Sequence, residues 1–115
     1  MTIANLDQTQ SHEIAPGFSG KFVHSESLTI AYWDVTAGCE LPLHHHQHEQ
    51  VLNMIEGQFE LVLNGESSVL NPGDVVVIGR NVPHSGVALT NCRIIDVFEP
   101  IREDYQALDL SLIHI

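Results

Sequence analysis

The sequence predicts an all-β fold in a single domain, and three observations carry that expectation. β-Branched, aromatic and aliphatic residues come in short runs. Glycine, proline and asparagine turn signals separate those runs at regular spacing. No long stretch carries the 3.6-residue period of an amphipathic helix. Many short strands of this kind build a sandwich or a barrel. The 115 residues suit one domain. A chain of that length buries roughly two-thirds of its unfolded surface and needs no disulfide or structural metal to fold.

Taken in order, residues 1–20 are polar and weakly patterned, with Pro16-Gly17 and Gly20 near their end. They read as an N-terminal arm or a short edge strand. The β-domain is expected over 21–100, and a C-terminal tail over 101–115. Leu28–Val35 is a strand rich in β-branched and aromatic residues, and Gly38 ends it. Leu41–His46 and Gln50–Glu56 follow, with a turn at Gly57. Phe59, Leu61 and Leu63 alternate with Glu60, Val62 and Asn64, a period of two. Asn64-Gly65 is the strongest short hairpin signal in the chain. Val69-Leu70 returns, and Asn71-Pro72-Gly73-Asp74 is another turn. Val75–Ile78 is a fully apolar strand, and Gly79 to Pro83 is a loop. Ser85–Leu89 and Cys92–Phe98 are two more strands, joined by Thr90-Asn91. Only Glu103–Leu108 suits a helical turn.

Composition narrows the function. The 43% hydrophobic content and near-zero mean hydropathy describe a folding chain and not a disordered tail. Fifteen Asp and Glu stand against four Lys and Arg, a formal net charge of −11. Nucleic-acid binding rests on Lys and Arg at phosphates, so no nucleic-acid partner is expected. An anionic membrane surface is equally unsuited. The start of the chain lacks a basic, then apolar, leader pattern, and no apolar run is long enough for a bilayer. The expectation is a cytoplasmic protein in which Cys39 and Cys92, at no metal-type spacing, are free thiols.

Eight histidines sit in this acidic chain, three of them consecutive. His44 and His46 stand two apart in a strand-like segment, so both rings share a face, while His45 points the other way. Gln50 keeps the parity of His44 and His46 if the strand runs unbroken. A metal site needs three or four donors from different segments, and His84, just after Pro83, is the natural remaining one. Taken singly, each histidine reads as a solvated loop residue. The spacing of His44 and His46, with His84 after a Gly-Asp-strand-Pro pattern, favours a metal. His12, His24, His48 and His114 have no such context and read as solvated.

These residues carry a resemblance. Gly38, five residues, His44-x-His46, three residues, Gln50, six residues and Gly57 resemble the first cupin motif, with Gln50 where the family usually has Glu. Fifteen residues on, Gly73-Asp74-Val75-Val76-Val77-Ile78 and Asn81-Val82-Pro83-His84 resemble the second. There Gly79 replaces the usual Pro, Asn81 the usual Gly, and Ala88 the usual Asn. The resemblance covers roughly residues 28–98. It implies a cupin-type jelly-roll β-barrel, often a homodimer. It also implies one divalent transition metal (Ni, Zn, Mn, Fe or Co) held by His44, His46, Gln50 and His84.

A narrower likeness adds to this. Leu41 to Gln50, Asn81 to Gly86 and Asp96 to Tyr105 resemble the small pectin-degradation cupins, which linearise 4,5-unsaturated uronates and also use Gln as fourth ligand. Their substrate-side Asp, Phe and Arg match Asp96, Phe98 and Arg102. The implied activity is a metal-dependent isomerisation of a small anionic sugar. The residues themselves are compatible: Asp96 and Phe98 share a strand face, and the fork of Arg102 suits a carboxylate. Read without the likeness, Asp96 is a solvated strand residue, Phe98 is core, and Arg102 pairs with Glu99 or Glu103. Two rival functions keep the fold: an iron cupin dioxygenase, and a stand-alone, non-catalytic sugar- or metabolite-binding cupin.

Overall fold

The computed structural model describes residues 2–111. A 3-10 turn at Leu6–Gln8 precedes ten strands and one helix. The strands are β1 (His12–Ala15), β2 (Phe18–His24), β3 (Thr29–Val35), β4 (Glu40–His44) and β5 (Glu49–Glu56). They continue with β6 (Phe59–Leu63), β7 (Glu66–Leu70), β8 (Val75–Ile78), β9 (His84–Ala88) and β10 (Cys92–Glu99). The helix α1 spans Glu103–Ser111. One sheet has six strands in the order β1-β2-β3-β10-β5-β8, the other four in the order β4-β9-β6-β7. All pairings are antiparallel. From β3 onward nearly every connection crosses between the sheets, and only the β6–β7 hairpin stays within one. This is the jelly-roll barrel expected from the motifs.

Period-two alternation builds the core. Phe18, Gly20 and Phe22 of β2 face inward, as do Thr29, Ala31, Trp33 and Val35 of β3. β10 turns Cys92, Ile94, Asp96 and Phe98 inward, and β5 turns Gln50, Leu52 and Met54 inward. Phe59 and Leu61 of β6 meet them from the opposite sheet. Thr29, Gln50 and Asp96 are thus polar side chains on interior positions of the six-stranded sheet. Interior polar groups cost free energy unless they are bonded, so their presence marks a site.

Turn chemistry is local and legible. Asn64 and Gly65 both take positive φ, 49° and 85°, the type I′ geometry that fixes the β6–β7 register. Gly57 also has positive φ, 85°, and a Cβ there would collide with the Asn91 carbonyl.

Some elements differ from expectation. The segment 1–20 does contain the short edge strand expected there, β1, but β2 begins inside it and runs through residue 20 because Phe18 and Phe22 both pack inward. The all-apolar β8 is an edge strand with Val75 and Val77 exposed, so its composition does not mean full burial. The tail forms a longer helix than one turn. Cys39 and Cys92 are free thiols. No described helix is long and apolar enough to cross a membrane.

Candidate metal centre and pocket

The two sheets bring their polar interior positions to one cavity. β4 and β9 pair so that His44 lies opposite His84. β5 and β10 pair so that Gln50 lies opposite Phe98 and Leu52 opposite Asp96. His44, His46, Gln50, His84, Asp96 and Arg102 line the cavity on its polar side. Leu41, Leu52, Phe59, Leu61 and Ile94 supply its apolar wall, with Trp33 and Tyr105 beside Asp96 and Arg102.

The ligand positions are reached by a different route from the one parity suggested. β4 ends at His44, the chain turns, and Gln50 enters from β5 in the other sheet. His46 sits in that turn, where the Asn81 N–H donates to its carbonyl at 2.7 Å. Asn81 takes φ 60°, a left-handed conformation that asparagine tolerates. That accounts physically for Asn at a position where the family usually has Gly.

The three rings share one tautomer. His44 Nδ1 lies 2.8 Å from the Pro42 carbonyl, His84 Nδ1 2.9 Å from the Val82 carbonyl, and His46 Nδ1 3.1 Å from the His48 carbonyl. Carbonyls only accept, so each Nδ1 carries the proton and each Nε2 offers a lone pair. The ligand atoms of His44, His46 and His84 lie within 4.8 Å of one another. His84 Nε2 is buried without a hydrogen-bond partner among the described residues. Gln50 Oε1 faces His46 Nε2 at 3.2 Å, the spacing of two ligands each about 2.1 Å from one ion. Burial, with the charge of Arg102 adding to it, lowers the His46 pKa to about 4. Burial lowers that of His84 as well. Neutral rings whose free nitrogens cluster together, one of them orphaned, fit a divalent ion.

Asp96 is 6% exposed. The Trp33 indole N–H donates to its Oδ2 at 2.9 Å, and its Oδ1 is buried without a hydrogen-bond partner. Burial pushes the Asp96 pKa up to about 6, against the pull of the nearby Gln50 amide, the Trp33 indole and Arg102. The amide of Gln50 lies near this carboxyl without making a hydrogen bond to Oδ1.

Arg102 pairs with neither Glu99 nor Glu103. Its Nε and Nη2 donate to Asp104 at 2.9 and 2.7 Å, and its backbone N–H donates to the buried Thr29 hydroxyl at 2.8 Å. The guanidinium lies 4.6 Å from the Phe98 ring centroid and 3.9 Å from that of Tyr105. Burial disfavours its charge, but Asp104 and Tyr105 outweigh burial and raise its pKa. Phe98 is buried, edge-on to His46 at 5.7 Å and packed against Arg102.

Three histidines read as solvated have partners instead. His12 Nε2 lies 2.7 Å and His24 Nε2 3.4 Å from the Asp109 carboxylate of α1. His48 packs edge-on to His46 at 5.5 Å and reaches the Ile101 carbonyl at 3.2 Å. His114 lies outside the described residues. The sequence reading also passed over Trp33, Asp104 and Tyr105. Only the presence of one tryptophan in the chain, with no assigned role, hinted at the first.

Fold and site together define a single-domain jelly-roll barrel with a histidine cluster inside. The chain belongs to the cupin domain family, which matches residues 31–98. It is 30% identical over 102 residues to the pectin degradation protein KdgF of Dickeya dadantii (strain 3937), covering 86% of this chain and 93% of that protein. The structure of KdgF from Halomonas sp. superposes with a TM-score of 0.81 at 31% identity, covering 86% of this chain and 94% of that one. An RmlC-like cupin from Shewanella frigidimarina NCIMB 400 superposes with a TM-score of 0.85 at 29% identity, covering 91% and 96%.

Proposed function

We propose that this protein is an isomerase of pectin or alginate breakdown that converts 4,5-unsaturated monouronates to their linear keto form. The observation that carries this reading is one cavity holding three clustered imidazoles, an amide, a carboxyl and a guanidinium. The similarity to pectin degradation protein KdgF supports it. His44, His46, Gln50 and His84 would hold the metal. None of the four is anionic, so a divalent ion bound there keeps its full charge and supplies a Lewis acid for a carboxylate and an adjacent oxygen.

The protein side chains do the rest. Asp96 takes the proton of the C1 hydroxyl as the bond from C1 to the ring oxygen breaks. That leaves an aldehyde at C1 and an enolate at C5. Return of the proton to C4 completes the ketone, so no atom is gained or lost. Arg102 meets the substrate carboxylate through Nη1, since Asp104 already holds the other edge of its fork. Phe98 and Tyr105 fix the plane of that guanidinium. The apolar wall, from Leu41 to Ile94, excludes water from the enolate.

The test is to incubate metal-loaded protein with an unsaturated monouronate and identify the product by NMR, with an oxygen electrode alongside. A linear 5-keto product without oxygen uptake is expected. Oxygen uptake would instead identify a dioxygenase, and binding without turnover a sugar-binding protein.

A further inference from the structure

We infer that Trp33 is a positioning residue for Asp96, one that leaves this carboxyl a single oxygen for proton transfer. The inference rests on the proposed isomerisation. Indole nitrogen is a donor only, so the Trp33 N–H engages Asp96 Oδ2 in whatever state the carboxyl holds. Among the described residues Oδ1 makes no hydrogen bond, although the Gln50 amide lies near the carboxyl, and Asp96 lines the cavity. A carboxyl free to rotate about its last bond offers two equivalent oxygens. Pinned at Oδ2, it offers Oδ1 in one direction. The reaction needs that, because the proton leaves one substrate oxygen and arrives at a carbon of the same bound molecule.

The indole cannot follow the carboxyl if it turns. A Cβ at Gly20 would stand 2.6 Å from the Trp33 ring, so the glycine exists there as a seat for the indole. Phe22 meets the same ring edge-on at 5.6 Å and Tyr105 at 5.9 Å. Three separate elements, β2, β3 and α1, therefore converge on the orientation of one carboxyl oxygen.

Trp33 is the only tryptophan in the chain, so biosynthetic replacement of tryptophan alters this residue alone. Replacement by benzothienylalanine keeps the shape of the ring and removes the N–H. Expected for the metal-loaded isostere is a loss in kcat of about ten- to a hundredfold, with KM, metal affinity and Tm close to wild type. Gly20→Ala, which unseats the ring, should lower kcat in the same sense. Wild-type kcat in the isostere would overturn the inference, as would a lower kcat accompanied by a raised KM and a lowered Tm, the pattern of lost packing. Absence of turnover in the wild-type protein would count against the proposed function instead. The indole N–H resonance then decides the positioning separately. It should move upfield and exchange faster in Asp96→Ala, and an unchanged resonance would refute the hydrogen bond.

Discussion

Each cluster histidine has its Nδ1 proton engaged by a backbone carbonyl, so truncating one ring removes one free Nε2 from the cluster. His84→Ala is expected to weaken metal binding at least about a hundredfold, beyond the usual cost of losing a supporting group. Titration against a competing chelator measures this. Asp96→Asn should keep the metal and lose about a hundredfold in kcat, because an amide cannot carry the proton. Unchanged turnover would remove Asp96 from the chemistry. At this scale the sequence was legible where a residue belongs to a motif with fixed spacing, as His44, His46, Gln50 and His84 do. It was silent where the partner is distant in the chain. His12 and Asp109 are 97 positions apart and Trp33 and Asp96 are 63 apart, and only the folded sheets bring them together.

Among the elements, turns were easier to read than helix ends, for a physical reason. Positive φ at Asn64 and Gly65 follows from residue type alone. Gly57→Ala is expected to destabilise the fold by about 2 kcal/mol or more, since it meets both a left-handed φ and the Asn91 carbonyl. Thermal denaturation tests this. The helix α1, by contrast, has almost no apolar periodicity and is held through individual contacts. Tyr105 stacks on Phe22 at 4.4 Å, and Asp109 meets His12 and His24. Burial pushes the Tyr105 hydroxyl up to about 12. The unfolded chain ionises its tyrosines near pH 10. The fold therefore favours the neutral phenol, a contribution fully present below pH 10 and lost as pH rises to about 12. Stability of the wild-type protein should fall across that window, and Tyr105→Phe should remove this part of the fall.

For the whole molecule, the net charge of −11 opposes an anionic substrate at long range. The arginines do not reverse this field alone. Arg80 is paired with Glu99, and Arg102 with Asp104. Under the proposed function, a metal among neutral ligands supplies the main local positive charge. Raising salt from about 20 to 300 mM should therefore hold or increase kcat/KM, by screening repulsion. A steep decline would show a favourable steering field instead. The jelly roll itself was legible from turn spacing and motif order. Which strand parity faces the cavity was not, since β4 and β5 belong to different sheets.

The most direct test of the central claim is the initial rate at which the double-bond absorbance of an unsaturated monouronate disappears. It is measured with chelated protein, with the same protein after a divalent metal is restored, and with His84→Ala under identical metal. The restored wild type should exceed the spontaneous rate by orders of magnitude, while the other two stay near it. Equal rates in all three would contradict a reaction carried by the histidine cluster.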